Sequence, residues 1–271
     1  MKSYRRCVDN WIGHSWTVQT AQVLELLQDV AERIVRPRFR SLSDEQVMEK
    51  NPGDLVTVAD REAEVAITEV LRSAYPDALI VGEEAVAADP AILGRAGSAG
   101  HWFTVDPIDG TKNFVHGSPD HALMVAELDG PTVLRSWIWQ PEHQLAYVAE
   151  RGAGAWCGER RLAIGPVRRE PDGRTSWRRE VGQSLGGDLP PLSLTWASCG
   201  IDYPKLVEAE TDYIVYGGTM PWDHAPGSLL LAEAGGVTGY PDLTLYNPTS
   251  LRKPLIAAGS QAIFEQVAPK V

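Results

Sequence analysis

The segment Asp106-Pro107-Ile108-Asp109-Gly110-Thr111-Lys112-Asn113-Phe114 constrains this chain more than any other. The apolar run over 102–105 reads as a buried strand, and two carboxylates three residues apart close it just before a Gly-Thr turn. In a confined site both cannot stay ionised unless a cation lies between them. A hard divalent ion is the natural occupant. Pro107 fixes one φ angle between the carboxylates, and a carbonyl from the intervening residues can act as a further oxygen ligand, which suits magnesium or calcium. Gly110-Thr111 lets successive N–H groups face an anion, so that metal and phosphate meet at one point.

Asp-Pro and Asp-Gly are also common turn dipeptides, so the functional reading rests on company. Glu83 and Glu84 close the preceding apolar run, 78–81, in the same way, and Trp222-Asp223 opens a later glycine-containing helix. Asp60 stands three residues after Thr57, a capping box, and for Asp60 alone capping is the better reading.

Around this core the pattern alternates helix and strand. Apolar residues recur at helical spacing over 16–36 until Pro37, and again over 63–74 before Pro76, with a loop at Asn51-Pro52-Gly53 between them. Over 122–156 apolar runs separated by turn residues predict an antiparallel meander. Residues 165–191 are polar and rich in Arg, Gly and Pro, and read as a solvated connection between two halves. Beyond them come a helix near 204–210, a strand near 213–216, a helix over 223–234 stopped by Gly235-Gly236, a strand near 255–258 and a helix near 261–267. The expected organisation is a tail over 1–15 and one domain over 16–271, with halves over about 16–165 and 192–271.

With 36 acidic against 25 basic side chains the net charge is −11, the wrong sign for a general nucleic-acid or anionic-membrane binder. Any phosphate must be met locally. Cys7, Cys157 and Cys199 are sparse and lack metal-binding spacing, and no apolar run reaches the length of a membrane span. Arg5-Arg6 has no hydrophobic segment behind it and reads as a solvated tail, so a cytoplasmic location is expected.

Gly82-Glu83-Glu84, then DPIDGTKNF at 106–114, then Trp222-Asp223-His224-Ala225-Pro226-Gly227 with Glu233-Ala234-Gly235-Gly236, resembles the inositol monophosphatase family in motif order and approximate spacing. The resemblance implies an α/β fold of layered α-β-α-β-α type, shared with fructose-1,6-bisphosphatase. It also implies a homodimer, two or three Mg2+ ions, and lithium-sensitive hydrolysis of a small phosphate monoester by activated water. Matched position by position, Glu83, Asp106, Asp109, Asp223 and the main-chain carbonyl of Ile108 hold metal, with Glu83 also counted as catalytic. Asp60 polarises the Thr111 hydroxyl, and Gly110 and Thr111 cradle the phosphate.

The family's glutamate for ring hydroxyls, seven residues before the metal-binding Asp223, is Tyr216 here, with Glu210 and Asp212 nearby but out of place. Tyr216 and Asp223 are therefore the expected alcohol contacts. His224-Ala225-Pro226 replaces the usual small residues, and Pro226 in a first turn would cost no hydrogen bond. The first-choice substrate is myo-inositol 1-phosphate, ahead of fructose 1,6-bisphosphate, histidinol phosphate and adenosine 3',5'-bisphosphate. A metal- or phosphate-binding regulator without turnover is the alternative from another class.

Overall fold

The computed structural model describes residues 18–166 and 170–271. The tail over 1–15 with Arg5, Arg6 and Cys7, the helix start at Trp16, and Arg168 and Arg169 lie outside the described residues.

Helix α1, Val18–Val30, continues through a π-helical turn over Ala31–Val35 and ends at a 3-10 turn holding Pro37. The loop expected near Asn51-Pro52-Gly53 is the turn of a hairpin, β1 (Val47–Asn51) and β2 (Asp54–Thr57), with Gly53 at φ 78°. Thr57 then caps α2, Val58–Ala74, which buries Ala63, Ile67 and Leu71. Strand β3 (Leu79–Gly82), helices α3 (Glu83–Ala88) and α4 (Ala91–Ala96), strand β4 (His101–Asp109) and the short helix α5 (Thr111–Val115) follow. The predicted meander is present as β5 (Ala122–Asp129), β6 (Thr132–Gln140), β7 (Leu145–Glu150), β8 (Gly154–Cys157) and β9 (Arg160–Leu162). These strands form a seven-stranded sheet ordered β3-β4-β5-β6-β7-β8-β9, parallel only between β3 and β4.

The rest of the chain builds a second sheet, ordered β11-β10-β12-β14-β13. Its strands are β10 (Gly173–Thr175), β11 (Ser193–Leu194), β12 (Tyr213–Tyr216), β13 (Val237–Gly239) and β14 (Leu255–Ala258). Three helices accompany it, α6 (Cys199–Val207), α7 (Pro221–Glu233) and α8 (Gln261–Val267).

Strand alternation sorts the core into layers. Phe103, Val105, Leu123, Val125 and Trp137 face α1 and α2, whereas Trp102, Met124, Ala126 and Ile138 face the other way. That second face packs on α6 and α7 through Tyr203, Leu206, Leu229 and Leu230, which in turn touch Ile214, Tyr216, Leu255 and Ala257 of the small sheet. Tyr213, Val215, Ile256 and Ala258 point outward under Ile263, Phe264 and Val267 of α8. The order is α-β-α-β-α, as the resemblance implies. No helix among the described residues is long and apolar enough to cross a membrane.

Three expectations are corrected. The 165–191 segment is more than a solvated connection, because Gly173–Thr175 pairs in parallel with both β11 and β12. Gly173 lies so close to Tyr213 that a Cβ would stand 2.1 Å from the ring. The helix expected near 204–210 instead runs over Cys199–Val207, with Pro204 inside it. Proline deprives the Gly200 carbonyl of its intrahelical donor, and the Gln140 Nε2 group donates to that carbonyl at 2.8 Å instead. The helix expected over 223–234 starts at Pro221, so Pro226 falls in its second turn and does remove a ladder bond.

Candidate active site

The end of β4 is bent by a bulge. Asp106 opposes Met124 and Asp109 opposes Ala122, so the β4 side carries one residue more than its partner. Such a bulge re-aims the side chains that follow it, and Pro107 within it has no N–H to leave unpaired. Gly110 then adopts φ 83° and ψ 38°, and a Cβ there would lie 2.9 Å from the Ser198 Cβ. Only glycine combines this left-handed turn with such close approach.

The bulge and α7 bring oxygens of Asp106, Asp109 and Asp223 within 4.8 Å of one another. Asp109 is anchored on α6, where its Oδ2 accepts from the Gly200 N–H at 2.7 Å and from the Ser198 hydroxyl. Burial lifts its pKa above the ordinary carboxylate value, and the bonds from Ser198, Gly200 and Cys199 hold it back. Burial, with Glu83, Asp109 and Asp223 close by, pushes Asp106 far above that value, and burial with Glu83 and Asp109 does the same to Asp223. Asp106 Oδ1 is buried with no hydrogen-bond partner among the described residues. A buried acceptor left in this way among other carboxylates fits a hard cation, whose ligands are carboxylate and carbonyl oxygens.

Glu83 sits in the first turn of α3, beside this trio rather than within its shared radius. Its Oε1 takes a hydrogen bond from Lys50 at 2.6 Å, and Lys50 also donates to Glu84 at 2.9 Å. Burial drives Glu83 up to about 7 against the pull of Lys50. Burial opposes the charge on Lys50 itself, but Glu83 and Glu84 outweigh it and raise its pKa. Behind α3, the Glu64 carboxylate accepts from the Glu84 N–H at 2.7 Å and the Ala85 N–H at 2.8 Å, satisfying two N–H groups at the helix start. The approach leaves no room for a side chain at Gly82, whose Cβ would stand 2.4 Å from the Glu64 carboxyl carbon. Burial lifts Glu64 to about 7.

Asp60 uses its two oxygens differently. Oδ2 accepts from the Thr57 N–H at 2.8 Å and the Thr57 hydroxyl at 2.5 Å, which completes the cap of α2. Oδ1 faces the Thr111 hydroxyl at 3.0 Å, and that hydroxyl is also 3.0 Å from the Ile108 carbonyl. Capping and contact with Thr111 therefore coexist. Burial raises Asp60 to about 6, opposed by the Thr57 hydrogen bonds.

Tyr216 is 2% exposed, with its ring stacked on Tyr203 at 5.6 Å and edge-on to His224 at 4.7 Å. Burial holds its phenol well above the ordinary range. His224 places Nε2 at 3.0 Å from the Gly218 carbonyl, which assigns the proton there and leaves Nδ1 to accept from the Tyr203 hydroxyl at 3.1 Å. Burial lowers His224 to about 4, so it is neutral at physiological pH and structural in its contacts. A cavity of about 220 Å3 opens beside Thr111, lined by residues 53–55, 110–112 and Ala197.

Lys50, Glu64 and Ser198 enter this picture without warning from motif reading. Glu64 carried a usable signal: it shares a helix face with Asp60, four residues earlier, and with Ile67 and Leu71, so a carboxylate there is buried.

A model of the inositol monophosphatase family matches residues 16–271. The Nus factor SuhB of Pseudomonas aeruginosa is 32% identical over 254 residues, spanning 84% of this chain and 87% of that protein. The inositol-1-monophosphatase of Rhizobium meliloti is 32% identical over 210 residues, 73% of this chain and 76% of its own. Among solved structures, an IMPase of Thermotoga maritima superposes with a TM-score of 0.77 at 24% identity, covering 94% of this chain and 96% of that one.

Proposed function

The chain belongs to the inositol monophosphatase family, and on that premise we propose that it is a magnesium-dependent phosphomonoesterase for small polyol phosphates, with myo-inositol 1-phosphate as first choice. The observation that carries the proposal is the Thr111 hydroxyl, held between Asp60 Oδ1 and the Ile108 carbonyl beside three converging aspartates.

In this reading Asp106, Asp109, Asp223, Glu83 and the Ile108 carbonyl hold two or three ions. Magnesium bound there supplies charge neutralisation around the phosphoryl group and acidifies water. Asp60, ionised, polarises the Thr111 hydroxyl, which orients the attacking water and takes its proton toward Asp60. Gly110 and Thr111 offer N–H groups to the phosphate oxygens, and the chain turns sharply at Gly110 so that they can. Water attacks phosphorus in line and the alkoxide leaves, with no covalent intermediate on the protein.

The name Nus factor of the Pseudomonas aeruginosa relative keeps in view a regulator that retains the fold without turnover. A pure binder has no use for a hydroxyl aligned on a buried carboxylate, and this favours the enzyme. The test is phosphate release over a panel of small esters, with and without magnesium. Release that needs magnesium is expected, and no release from any ester overturns the proposal. Because Tyr216 is a buried neutral phenol at the position where the family resemblance implies a glutamate, inositol 1-phosphate should be preferred over glycerol 2-phosphate only modestly. A sharp preference shows that another residue reads the alcohol.

A further inference from the structure

A buried carboxylate outside the proposed chemistry holds the turn from which Asp109 is clamped. Asp202, in α6, is 2% exposed, and its Oδ1 accepts from the Trp196 N–H at 2.8 Å. The Trp196 carbonyl accepts from Asn113 Nδ2, also at 2.8 Å. The Arg174 guanidinium carbon and Lys205 Nζ lie 3.7 Å and 4.9 Å from the centre of the Trp196 ring. Trp196 is therefore fixed through its N–H, its carbonyl and its side chain.

Ala197, next in the chain, has φ 60°. Gly53 and Gly110 adopt this left-handed conformation freely, at φ 78° and 83°, but a residue with a Cβ keeps it only where its surroundings impose it. The turn delivers Ser198 to Asp109. Ser198 is the N-cap of α6, a position from which a serine hydroxyl ordinarily accepts a helix N–H. Here it makes no capping bond and donates to Asp109 Oδ2 instead, while that same oxygen takes the Gly200 N–H. Asp109 caps α6, and the serine is free to clamp it.

We propose that Asp202 is a positioning residue for Asp109: by holding the Trp196 N–H it imposes the left-handed turn at Ala197 and keeps Ser198 within reach of the aspartate. Its effect on turnover rests on the phosphomonoesterase reading above, whereas its effect on magnesium affinity can be read without turnover.

The experiment measures magnesium binding by calorimetry, the melting temperature in chelator and the magnesium concentration for half-maximal activity. The variants are Asp202→Ala, Asp202→Asn, Ala197→Val, and Asp202→Ala combined with Ala197→Gly. Asp202→Ala frees the turn and should weaken magnesium binding about 10-fold, the low end for losing a group that supports a metal ligand. Asp202→Asn keeps an acceptor for the Trp196 N–H and should bind as wild type does. Ala197→Val makes the turn costlier with Asp202 in place and should weaken binding in the same direction, which decides the matter if Asp202→Ala does not fold. Adding Ala197→Gly to Asp202→Ala should recover most of the lost affinity, since glycine takes the left-handed conformation unaided. If Asp202 merely braces the fold, its loss lowers the melting temperature and leaves the affinity unchanged, and that result overturns the inference. Weakened binding that glycine fails to rescue, or wild-type affinity in Ala197→Val, overturns it as well. A wild type that binds no magnesium overturns both readings. Magnesium binding without phosphate release from any ester overturns the phosphatase reading alone, and the calorimetric affinities still decide the role of Asp202.

Discussion

Glu83 and Glu84 share the ammonium of Lys50, whereas Asp106, Asp109 and Asp223 are paired with no basic side chain among the described residues. Both groups are acidic, and burial raises the pKa of Glu83 and of all three aspartates. The difference lies in where the compensating charge comes from. At the glutamates the hairpin supplies a fixed cation. At the aspartates the chain supplies a rigid frame, a bulge on one side and the start of α6 on the other, with no positive group inside it. A site framed in this way suits a cation that arrives from solution and can leave again.

The largest expected effect comes from removing that cation. Excess chelator should abolish phosphate release and added magnesium should restore it, because carboxylates at this spacing repel one another without it. Full turnover in chelator would break the comparison at its root.

Thr111→Ala comes next. Turnover should fall by roughly 10²–10⁴, the usual range for losing a positioned proton-transfer group. Magnesium binding by calorimetry should stay near the wild-type value. Near-normal turnover would show that Asp60 serves only as the cap of α2.

Glu64→Gln tests the glutamate side. An amide offers one acceptor oxygen where two N–H groups need acceptors, so α3 loosens and Glu83 with it. The magnesium concentration for half-maximal activity and the calorimetric affinity should both worsen by about 10–100-fold, as when a group supporting a metal ligand is lost. An unchanged affinity means that Lys50 alone holds Glu83 in place.

The smallest effect is on stability. Burial raises Asp60 to about 6 and Glu64 to about 7, and lifts Asp106 and Asp223 as well. The folded chain therefore binds more protons than the unfolded one over about pH 4 to 7, and stability falls as pH rises through that window. In chelator the melting temperature should drop from pH 5 to pH 8, and saturating magnesium should flatten the slope. Asp106→Asn should raise the chelated midpoint at pH 8 by a few degrees, on the order of 1 kcal/mol for a chain this size. A midpoint that rises with pH in chelator contradicts the burial of these groups as acids.

Much of this was legible in the sequence, for a physical reason. Asp106 to Phe114 carries its constraint locally, since strand, bulge, left-handed glycine and hydroxyl follow one another within a few residues. The strands at 213–216 and 255–258 announce themselves as apolar runs. Gly173–Thr175 does not: three residues give no period, and its partner in β12 lies 40 positions on. Lys50 is equally silent, because nothing near it in sequence says that a hairpin will fold it onto Glu83. Asp60 shows a different limit. Its capping signature was readable and present, yet it concerned one carboxylate oxygen and said nothing of the other.

The middle layer of the molecule has a consequence for biosynthesis. Asp109 leans on the first turn of α6, and Asp223 rides on α7, both lying between the two sheets. A nascent chain that has extruded only the large sheet displays Asp106 and Asp109 without Asp223, and without the Ser198 clamp. On the proposed function such a chain is silent as a hydrolase. On that reading activity waits until α6 and α7 dock on the large sheet, so its onset during translation would report that the chain has been made at least through Asp223.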